Sequence, residues 1–567
     1  MSIAYRPEPV PIDTPAEPAV RLIPLGGLGE IGLNMMLVES GGDILAVDCG
    51  LLFPDDEMPG VDYVIPDFSY LKARREQFRG VALTHGHEDH IGALAYLLRE
   101  FDVPVYGTPL TLALARNRLA ELGVLERADL RPYQPGDEVR LGGLTVIPIR
   151  VTHSIADGIG LAIETSVGTV VHTGDFKLDP DPIDALQPDY SKFAELGDRG
   201  VLVLCSDSTN VARPGRTGSE REVGVALAGR FAAARGRIIV ATFASHIHRI
   251  QQILELAERS GRKVALLGKS MAGNVAVAAE LGYLKIPDGL LIPLEDLAEL
   301  PPARQLILST GSQGEPNSAV ALMATGEHKY VQVGTGDLVI FSSRVIPGNE
   351  RVIGRVINAL LRLGAEVLWE DVAFVHVSGH ASREDLKHML ALTRPRYFVP
   401  VHGEHRHLLQ HARLAEEAGV PAERIFLIED GLGLEVSKSG PRVLGGYPAS
   451  RVLVDGKGIG DVGEVVLRDR QLLAEGGTIV VAVTMDRHTG AIVAGPEIVS
   501  RGFVYMKESD ELIQELKRAI TEALGARQEP DIVDTELIAA VIRLAARRLV
   551  SQRFQRKPVV LPVVLAI

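Results

Sequence analysis

The sequence predicts an α/β protein of several domains, with a metal site in the first of them. Three observations carry this. The chain has 567 residues, 46% hydrophobic and 23% charged, an ordinary globular composition long enough for three or four domains. Short apolar strands alternate with helices through two successive stretches, the pattern of mostly parallel sheets with flanking helices. Residues 81–92, VALTHGHEDHIG, place His85, His87, Asp89 and His90 between a strand end and a helix start.

Val81, Ala82 and Leu83 read as the end of a buried strand. His85 and His87 then point to the same side, because side chains alternate along an extended segment, and Gly86 lets the backbone turn. Asp89 and His90, at the start of the following helix, aim at a second point nearby, so two adjacent metal positions are expected. Imidazole and carboxylate suit zinc and manganese. A plain polar turn with Asp89 as a helix cap needs one such residue, not four.

In chain order, residues 1–19 are rich in Pro and Glu and are expected to form a mobile or loosely docked arm. Structure begins at Val20. GLGEIG at residues 27–32 has the spacing of a dinucleotide loop, but LNMMLVES after it reads as a strand where a helix is required, and no P-loop lysine is present. These glycines instead let the backbone pass close to the metal site. A turn at Gly41-Gly42-Asp43 marks a hairpin ending at Asp48, which is expected to hold the histidine loop through hydrogen bonds. The loop Asp55-Asp56-Glu57 is either solvated or holds a structural cation. His153, ending the strand LTVIPIRV, fits a further ligand. Asp175, in TGDFK at a strand mouth, is placed to bridge two ions about 3.5–4 Å apart. His172, inside that strand, reads as structural. VLVLCSD ends another buried strand at Asp207.

From about Glu220 a second α/β domain runs to about Glu350. VIGRVINALLRLGAEV then reads as a helix returning to the first domain, followed by FVHVSGHAS and RPRYFVPVHGEH. A linker, GPRVLGGYPAS, leads to strands in RVLVDGKGIGDVG expected to pack on the first domain. Strands, two helices and a final strand make a small C-terminal α/β domain. The expected organisation is thus an arm (1–19), a first domain in two parts (20–219 and 351–440), a domain at 220–350, a linker with packing strands (441–465) and a C-terminal domain (466–567). No short repeats appear, so a solenoid is not expected.

Cys49 and Cys205 sit at apolar strand-like runs and read as buried free thiols, suited to a reducing cytoplasm. No signal segment opens the chain and no apolar run reaches about 18 residues, so a cytoplasmic protein without membrane contact is expected. The formal net charge of −14 disfavours nucleic acid as a partner only through its sum, and the distribution of charge decides. Bound cations would also neutralise carboxylates locally.

HGHEDH resembles the HxHxDH signature of the metallo-β-lactamase superfamily, with Asp48, His153 and Asp175 at its first, third and fourth motifs. Asp207, His380 in SGHAS and His402 in PVHGEH resemble motifs A, B and C of the β-CASP group, in which an α/β domain is inserted into the metallo-β-lactamase domain and the substrates are nucleic acids. FASHIHRIQQ, STGSQGEP, SSRVIPGNE, VSGHASREDLK, PVHGEHRHL and the tail RFQRKPVVLPVV are similar, in order, to blocks of the ribonuclease J family. The resemblance runs from Val20 over nearly the whole chain. It implies a metallo-β-lactamase αββα sandwich with an inserted β-CASP α/β domain and a small α/β C-terminal domain.

The resemblance also implies a ligand set. His85, His87 and His153 would hold one divalent ion, Asp89, His90 and His402 the other, with Asp175 bridging; the ions would be zinc, manganese or both. It implies hydroxide attack on an RNA phosphodiester at this two-metal centre. The activity would be 5′-to-3′ exonuclease action on single-stranded, 5′-monophosphorylated RNA with endonuclease action beside it, in RNA maturation and decay. His380 would serve the leaving 3′ oxygen, with Asp207 orienting it and the N–H groups of Ser378 and Gly379 offered to a phosphate oxygen. Ser245, His246 and Ile247, with His376, Val377, Ser378, Gly379 and His380, match RNA-contacting blocks, and Arg249 and Arg383 are expected phosphate neighbours. His246 departs from the pattern, standing where Asn is expected. The resemblance further implies a homodimer through the C-terminal domain and membership of an RNA-decay complex.

Three rivals remain. A lactonase- or thioesterase-type hydrolase would share the HxHxDH cluster without needing Asp207, His380 or the inserted domain. A silent scaffold would bury unpaired acids and imidazoles at a cost. DNA as substrate differs from RNA only at the 2′-OH.

Overall fold

The computed structural model describes residues 8–9, 17–55, 57–315, 317–346, 348–503, 510–526 and 534–567. Most of the N-terminal arm, and Asp56 of the acidic loop, lie outside the described residues. The chain divides into two compact units, residues 1–53 with 64–452, and residues 54–63 with 453–567.

The larger unit contains a two-sheet sandwich. One sheet has nine strands and runs from Glu8–Pro9 at one edge through Ala19–Gly26, Met35–Ser40, Asp43–Val47 and Phe78–Ala82 to Asp129–Pro132 at the other. The second has six strands, from Val139–Leu141 to Val201–Asp207 and Tyr397–Val401. Their facing sides share one core: Leu22, Val38 and Leu45 from the first meet Leu161, Val203 and Val399 from the second. Each such side chain, removed from water, contributes on the order of 2 kcal/mol. The outer face of the six-stranded sheet packs Ile147, Ala162 and Phe398 against Phe193, Leu386 and Leu414 of three helices. The expected Gly41-Gly42 hairpin forms with both glycines at positive φ, 63° and 87°. No helix follows the residue 27–32 glycines; a strand does, at Met35–Ser40.

The inserted layer is an all-parallel five-stranded sheet, ordered Lys263–Leu267, Gln305–Ser309, Ile238–Ala241, Leu338–Phe341, Glu366–Leu368. Its last strand corrects the sequence boundary at residue 350. The helix Glu350–Arg362 does not return to the first domain: Ile353, Val356, Ile357 and Leu360, a stripe at helical spacing, are buried against this sheet. The supposed linker also differs. Gly440–Gly445 is a strand paired antiparallel with Leu432–Ser437 and parallel with Glu8–Pro9.

In the smaller unit the strand Thr478–Met485 lies between Ile492–Arg501, antiparallel, and Val559–Ala566, parallel. Helices Asp510–Gly525 and Thr535–Phe554 cover one face with Leu512, Leu516, Ile520 and Leu524, and with Ile538, Ile542, Ala546 and Val550. The four-residue spacing is a single buried helix stripe. A helix at Glu464–Gly476 was not expected from the sequence. Residues from 453 onward group with this unit, not with the first domain as expected. In the acidic loop Asp55 Oδ1 accepts the Glu57 N–H at 2.9 Å and the Glu57 carbonyl accepts from Gln471. Cys49 and Cys205 are buried and unbridged, and burial raises both thiols. Among the described residues no helix is long and apolar enough to cross a membrane.

Candidate metal centre

The centre is assembled at strand ends of the larger unit. The strand Phe78–Ala82 delivers Thr84 and His85, and His87 is the N-cap of the helix Glu88–Ile91. A Cβ on Gly86 would stand 2.7 Å from Leu114 Cδ1, so a larger residue there would have to displace the Leu114 side chain. Asp48 and His402 both sit in the left-handed region, at φ 61° and 54°. Non-glycine residues hold that conformation where surrounding structure imposes it, and such places cluster at functional sites. Asp48 is 1% exposed. Its Oδ1 accepts the Thr84 N–H at 2.7 Å, and its Oδ2 accepts the Thr84 hydroxyl and His90 Nδ1–H, each at 2.8 Å. It therefore ties the histidine loop to the neighbouring strand and turns the His90 ring.

These hydrogen bonds fix which ring nitrogens carry protons. The Thr84 hydroxyl gives its proton to Asp48, so it accepts from His85 Nδ1 at 3.0 Å, leaving His85 Nε2 bare. His153 Nδ1 donates to the Gly379 carbonyl at 2.8 Å, leaving its Nε2 bare. Both bare nitrogens face His87 Nδ1, at 3.0 and 3.2 Å. One imidazole proton cannot serve two acceptors, so three ring nitrogens converge with one proton at most among them. A cation between them satisfies all three. On the other side, Thr209 donates to Asp207 Oδ1 at 2.8 Å and accepts from His402 Nδ1 at 2.6 Å, which turns His402 Nε2 toward Asp89 Oδ2, 3.4 Å away.

Asp175 joins the two sides. Its Oδ2 lies 3.8 and 3.9 Å from the Nε2 atoms of His85 and His153, and 3.3 and 3.4 Å from those of His90 and His402. Asp89 Oδ2 is 3.6 Å from His90 Nε2 and 3.4 Å from His402 Nε2. Among the described residues three overlapping groups have metal-holding geometry: His85 with His87 and His153, Asp89 with His90, Asp175 and His402, and Asp175 with Asp207, His380 and His402; in the last, Asp207 is engaged by His380 and Thr209. The donor set fits divalent ions that accept nitrogen and carboxylate oxygen.

Electrostatics separates the groups. Burial, with repulsion from neighbouring imidazoles, holds His85 and His153 well below the usual histidine range and His87 at about 4. Burial also opposes protonation of His90 and His402, but the surrounding carboxylates, Asp175 foremost, override it and raise both. Burial alone would raise Asp89, Asp175 and Asp207; the imidazoles beside them hold all three low.

Next to these groups His380 Nδ1 donates to Asp207 Oδ2 at 2.8 Å, the arrangement expected from the sequence. The run from His376 to His380 is stitched to the centre. Ser378 Oγ accepts the His380 N–H at 3.2 Å, so that N–H is already engaged. A Cβ on Gly379 would stand 2.7 Å from His153 Cε1. Val377 is buried, and His376 is partly exposed with its Nδ1 unpartnered among the described residues. His172 is partly buried and its Nδ1 accepts the Gly174 N–H at 3.1 Å.

Two expected phosphate neighbours are placed otherwise. Arg249 is fully buried. Its Nε and Nη2 bind Glu220, and its Nη1 donates to Ser342 Oγ and, at 2.8 Å, to the Val375 carbonyl. A buried guanidinium needs such partners, and Arg249 ties the inserted layer together rather than facing substrate. Arg383 pairs with Glu417 at 2.5 Å. His246 is 1% exposed, its Nε2 3.5 Å from Glu220 Oε2 and neither ring nitrogen hydrogen-bonded among the described residues. Ser245 is partly exposed, while Ile247 points into the core. Sequence reasoning missed Thr84, Thr209 and Asn34, whose Nδ2 lies 3.1 Å from His90 Nε2. Thr84 inside the histidine motif and Thr209 just after Asp207 were the available signals.

Comparison with known proteins follows the same division. The metallo-beta-lactamase superfamily matches residues 28–202, the ribonuclease J beta-CASP domain 235–360, the Zn-dependent metallo-hydrolase RNA specificity domain 365–425, and the ribonuclease J C-terminal domain 465–567. Ribonuclease J of Synechocystis sp. is 44% identical over 554 residues, covering 96% of this chain and 86% of that protein. The chain belongs to the ribonuclease J family. Ribonuclease J2 of Bacillus subtilis is 40% identical, covering 97% of this chain and 99% of its own. Ribonuclease J 1 of Streptococcus pyogenes is 41% identical, with 96% and 97% covered. A crystal structure of a protein of unknown function from Enterococcus faecalis shares the fold, at TM-score 0.51 and 16% identity, covering 73% of this chain and 99% of that one. As a ribonuclease J family member the chain is an RNA-hydrolysing enzyme. Its architecture is the family's: a metallo-β-lactamase domain, a β-CASP insertion and a C-terminal domain.

Proposed function

We propose that this ribonuclease J family enzyme holds two divalent ions, zinc or manganese, and removes nucleotides from the 5′ end of single-stranded, 5′-monophosphorylated RNA. The ligands would be His85, His87 and His153 for one ion and Asp89, His90 and His402 for the other, with Asp175 between them. The observation that carries the reading is Asp175 Oδ2, within 3.9 Å of four bare or carboxylate-facing imidazole nitrogens drawn from both groups. Bound ions would acidify a water and draw charge from the phosphate oxygens.

The chain's own residues do the rest. Asp207 holds Nδ1 of His380, so Nε2 is the atom left to carry a proton to the departing 3′ oxygen. Asp48 and Thr84 keep the histidine loop from relaxing when the ions leave. Ser245, His246 and the run from His376 to His380 are the proposed contacts of the RNA end. Endonuclease action by the same centre, a cytoplasmic role in RNA maturation and decay, association with an RNA-decay complex, and a homodimer formed through the C-terminal domain complete the reading.

The test uses single-stranded RNA labelled in its first nucleotide, with a 5′ monophosphate or a 5′ hydroxyl, with manganese, zinc or chelator. Immediate release of labelled mononucleotide, faster from the monophosphate and abolished by chelator, is expected. Longer labelled fragments alone would replace the exonuclease reading by an endonuclease one. Equal cutting of matched DNA would remove the RNA preference.

A further inference from the structure

Most cations around the candidate centre are already spent on protein partners. Arg249 is paired with Glu220, Arg213 with Glu370 at 3.3 Å, and Arg383 with Glu417. Arg344 is different. It lies just beyond the strand Leu338–Phe341 of the inserted layer. Its backbone is held: Gln313 Nε2 donates to the Arg344 carbonyl at 2.8 Å, Gln313 Oε1 accepts the Ile346 N–H at 2.8 Å, and Ser343 Oγ donates to the Ser312 carbonyl at 3.3 Å. Gln313 is itself 5% exposed, so the loop is a fixed platform.

From that platform the side chain reaches the first domain. Arg344 Nη1 donates to Asn210 Oδ1 at 2.7 Å, and Asn210 Nδ2 donates to the His380 carbonyl at 3.1 Å. The guanidinium thus stands one amide away from the His380 backbone, while the His380 ring faces Asp207 and Asp175. Among the described residues no carboxylate lies within ion-pair distance of Arg344, and its Nε and Nη2 have no hydrogen-bond partner. Burial and the nearby charge of Arg213 both disfavour its cation, and Glu370, which pairs with Arg213, offsets them only in part. A half-buried guanidinium with no carboxylate in direct contact is costly, and its open planar edge matches two oxygens of a phosphate.

We propose that Arg344 is a phosphate contact for the RNA backbone, supplied by the inserted layer beside His380. Its place behind the His380 carbonyl gives it a phosphodiester flanking the scissile one. The inference rests on the ribonuclease reading and adds to it the residue through which the inserted layer grips the substrate.

The experiment measures RNA hydrolysis by metal-loaded wild type, Arg344→Gln and Arg344→Lys over a series of salt concentrations. For Arg344→Gln, KM is expected to rise about tenfold, more than kcat falls. The slope of log(kcat/KM) against log salt should become shallower by about 0.7, one phosphate contact on a single strand. Arg344→Lys keeps the charge but not the fork; it should keep the wild-type slope with a smaller rise in KM, and it carries the test if the Gln variant folds poorly. A fall in kcat with KM and salt slope unchanged would make Arg344 a scaffold for His380 and overturn the proposal, as would unchanged kinetics. Wild type that neither binds nor cuts RNA would overturn the nuclease reading itself.

Discussion

The two donor groups of the centre are built in opposite ways. His85, His87 and His153 are neutral imidazoles kept unprotonated by burial and mutual repulsion. Asp89, His90, Asp175 and His402 are a charge-rich group in which carboxylates draw protons onto the rings. The first group draws only on chain preceding the inserted layer. The second needs His402, which arrives after it. An ion in the first group therefore reports a local fold, and an ion in the second reports that both halves of the sandwich have closed. Asp175 belongs to the second group and also approaches His85 and His153 of the first, so it is where the difference can be tested most severely.

Asp175→Asn should have the largest effect. Among the described residues it removes the only carboxylate oxygen within ion-pair distance of imidazoles in both groups, and hydrolysis of RNA at saturating manganese should fall by more than about a thousandfold. His380→Ala should sharpen the contrast between holding ions and using them. Its turnover should fall by about a hundred- to ten-thousandfold, while metal analysis finds both ions in place; loss of an ion would move His380 into the donor shell. Asp48→Asn puts an amide N–H against the His90 Nδ1–H and the Thr84 hydroxyl. Metal affinity of the carboxylate-rich group should fall about ten- to a hundredfold, read by competition with a chelating dye, with the imidazole group less affected.

The smallest effect concerns stability. Asp430 is pushed up to about 8 by burial and by Glu30, and the Leu28 N–H offsets this only in part. A carboxyl whose folded pKa exceeds its unfolded value is favoured in the fold only while protonated. Stability is therefore lost as pH rises from about 4 toward 8, at no more than about 1.4 kcal/mol per pH unit. Asp430→Asn should flatten that part of a melting-temperature profile and leave the Leu28 hydrogen bond in place.

How much of this was legible in the sequence depends on how local the signal is. His85, His87, Asp89 and His90 announce themselves because ligands at a strand-to-helix turn need fixed residue types at fixed spacing. His153 and Asp175 were readable as polar residues at the ends of apolar strands, while His402 came only with the resemblance of PVHGEH to a family motif. The role of Arg249 was not, because its partner Glu220 lies on the preceding helix and burial is a tertiary property. Thr84 and Thr209 set ring tautomers through hydrogen bonds that no spacing rule encodes. The helix Glu350–Arg362 was visible as a helix, but an apolar stripe does not say which sheet it will cover. The helix Glu464–Gly476 buries only Gly476, so it lacked the apolar period that reveals such elements. Gly and Pro in Gly440–Gly445 read as a linker, yet that segment is held as a strand by its antiparallel neighbour.

The most direct measurement is the number of metal ions per chain in wild type, His153→Ala and His402→Ala, after loading with manganese or zinc and gel filtration. The account predicts two ions in the wild type and one in each variant, removed from different groups. Wild type with a single ion, or either variant still holding two, would contradict it.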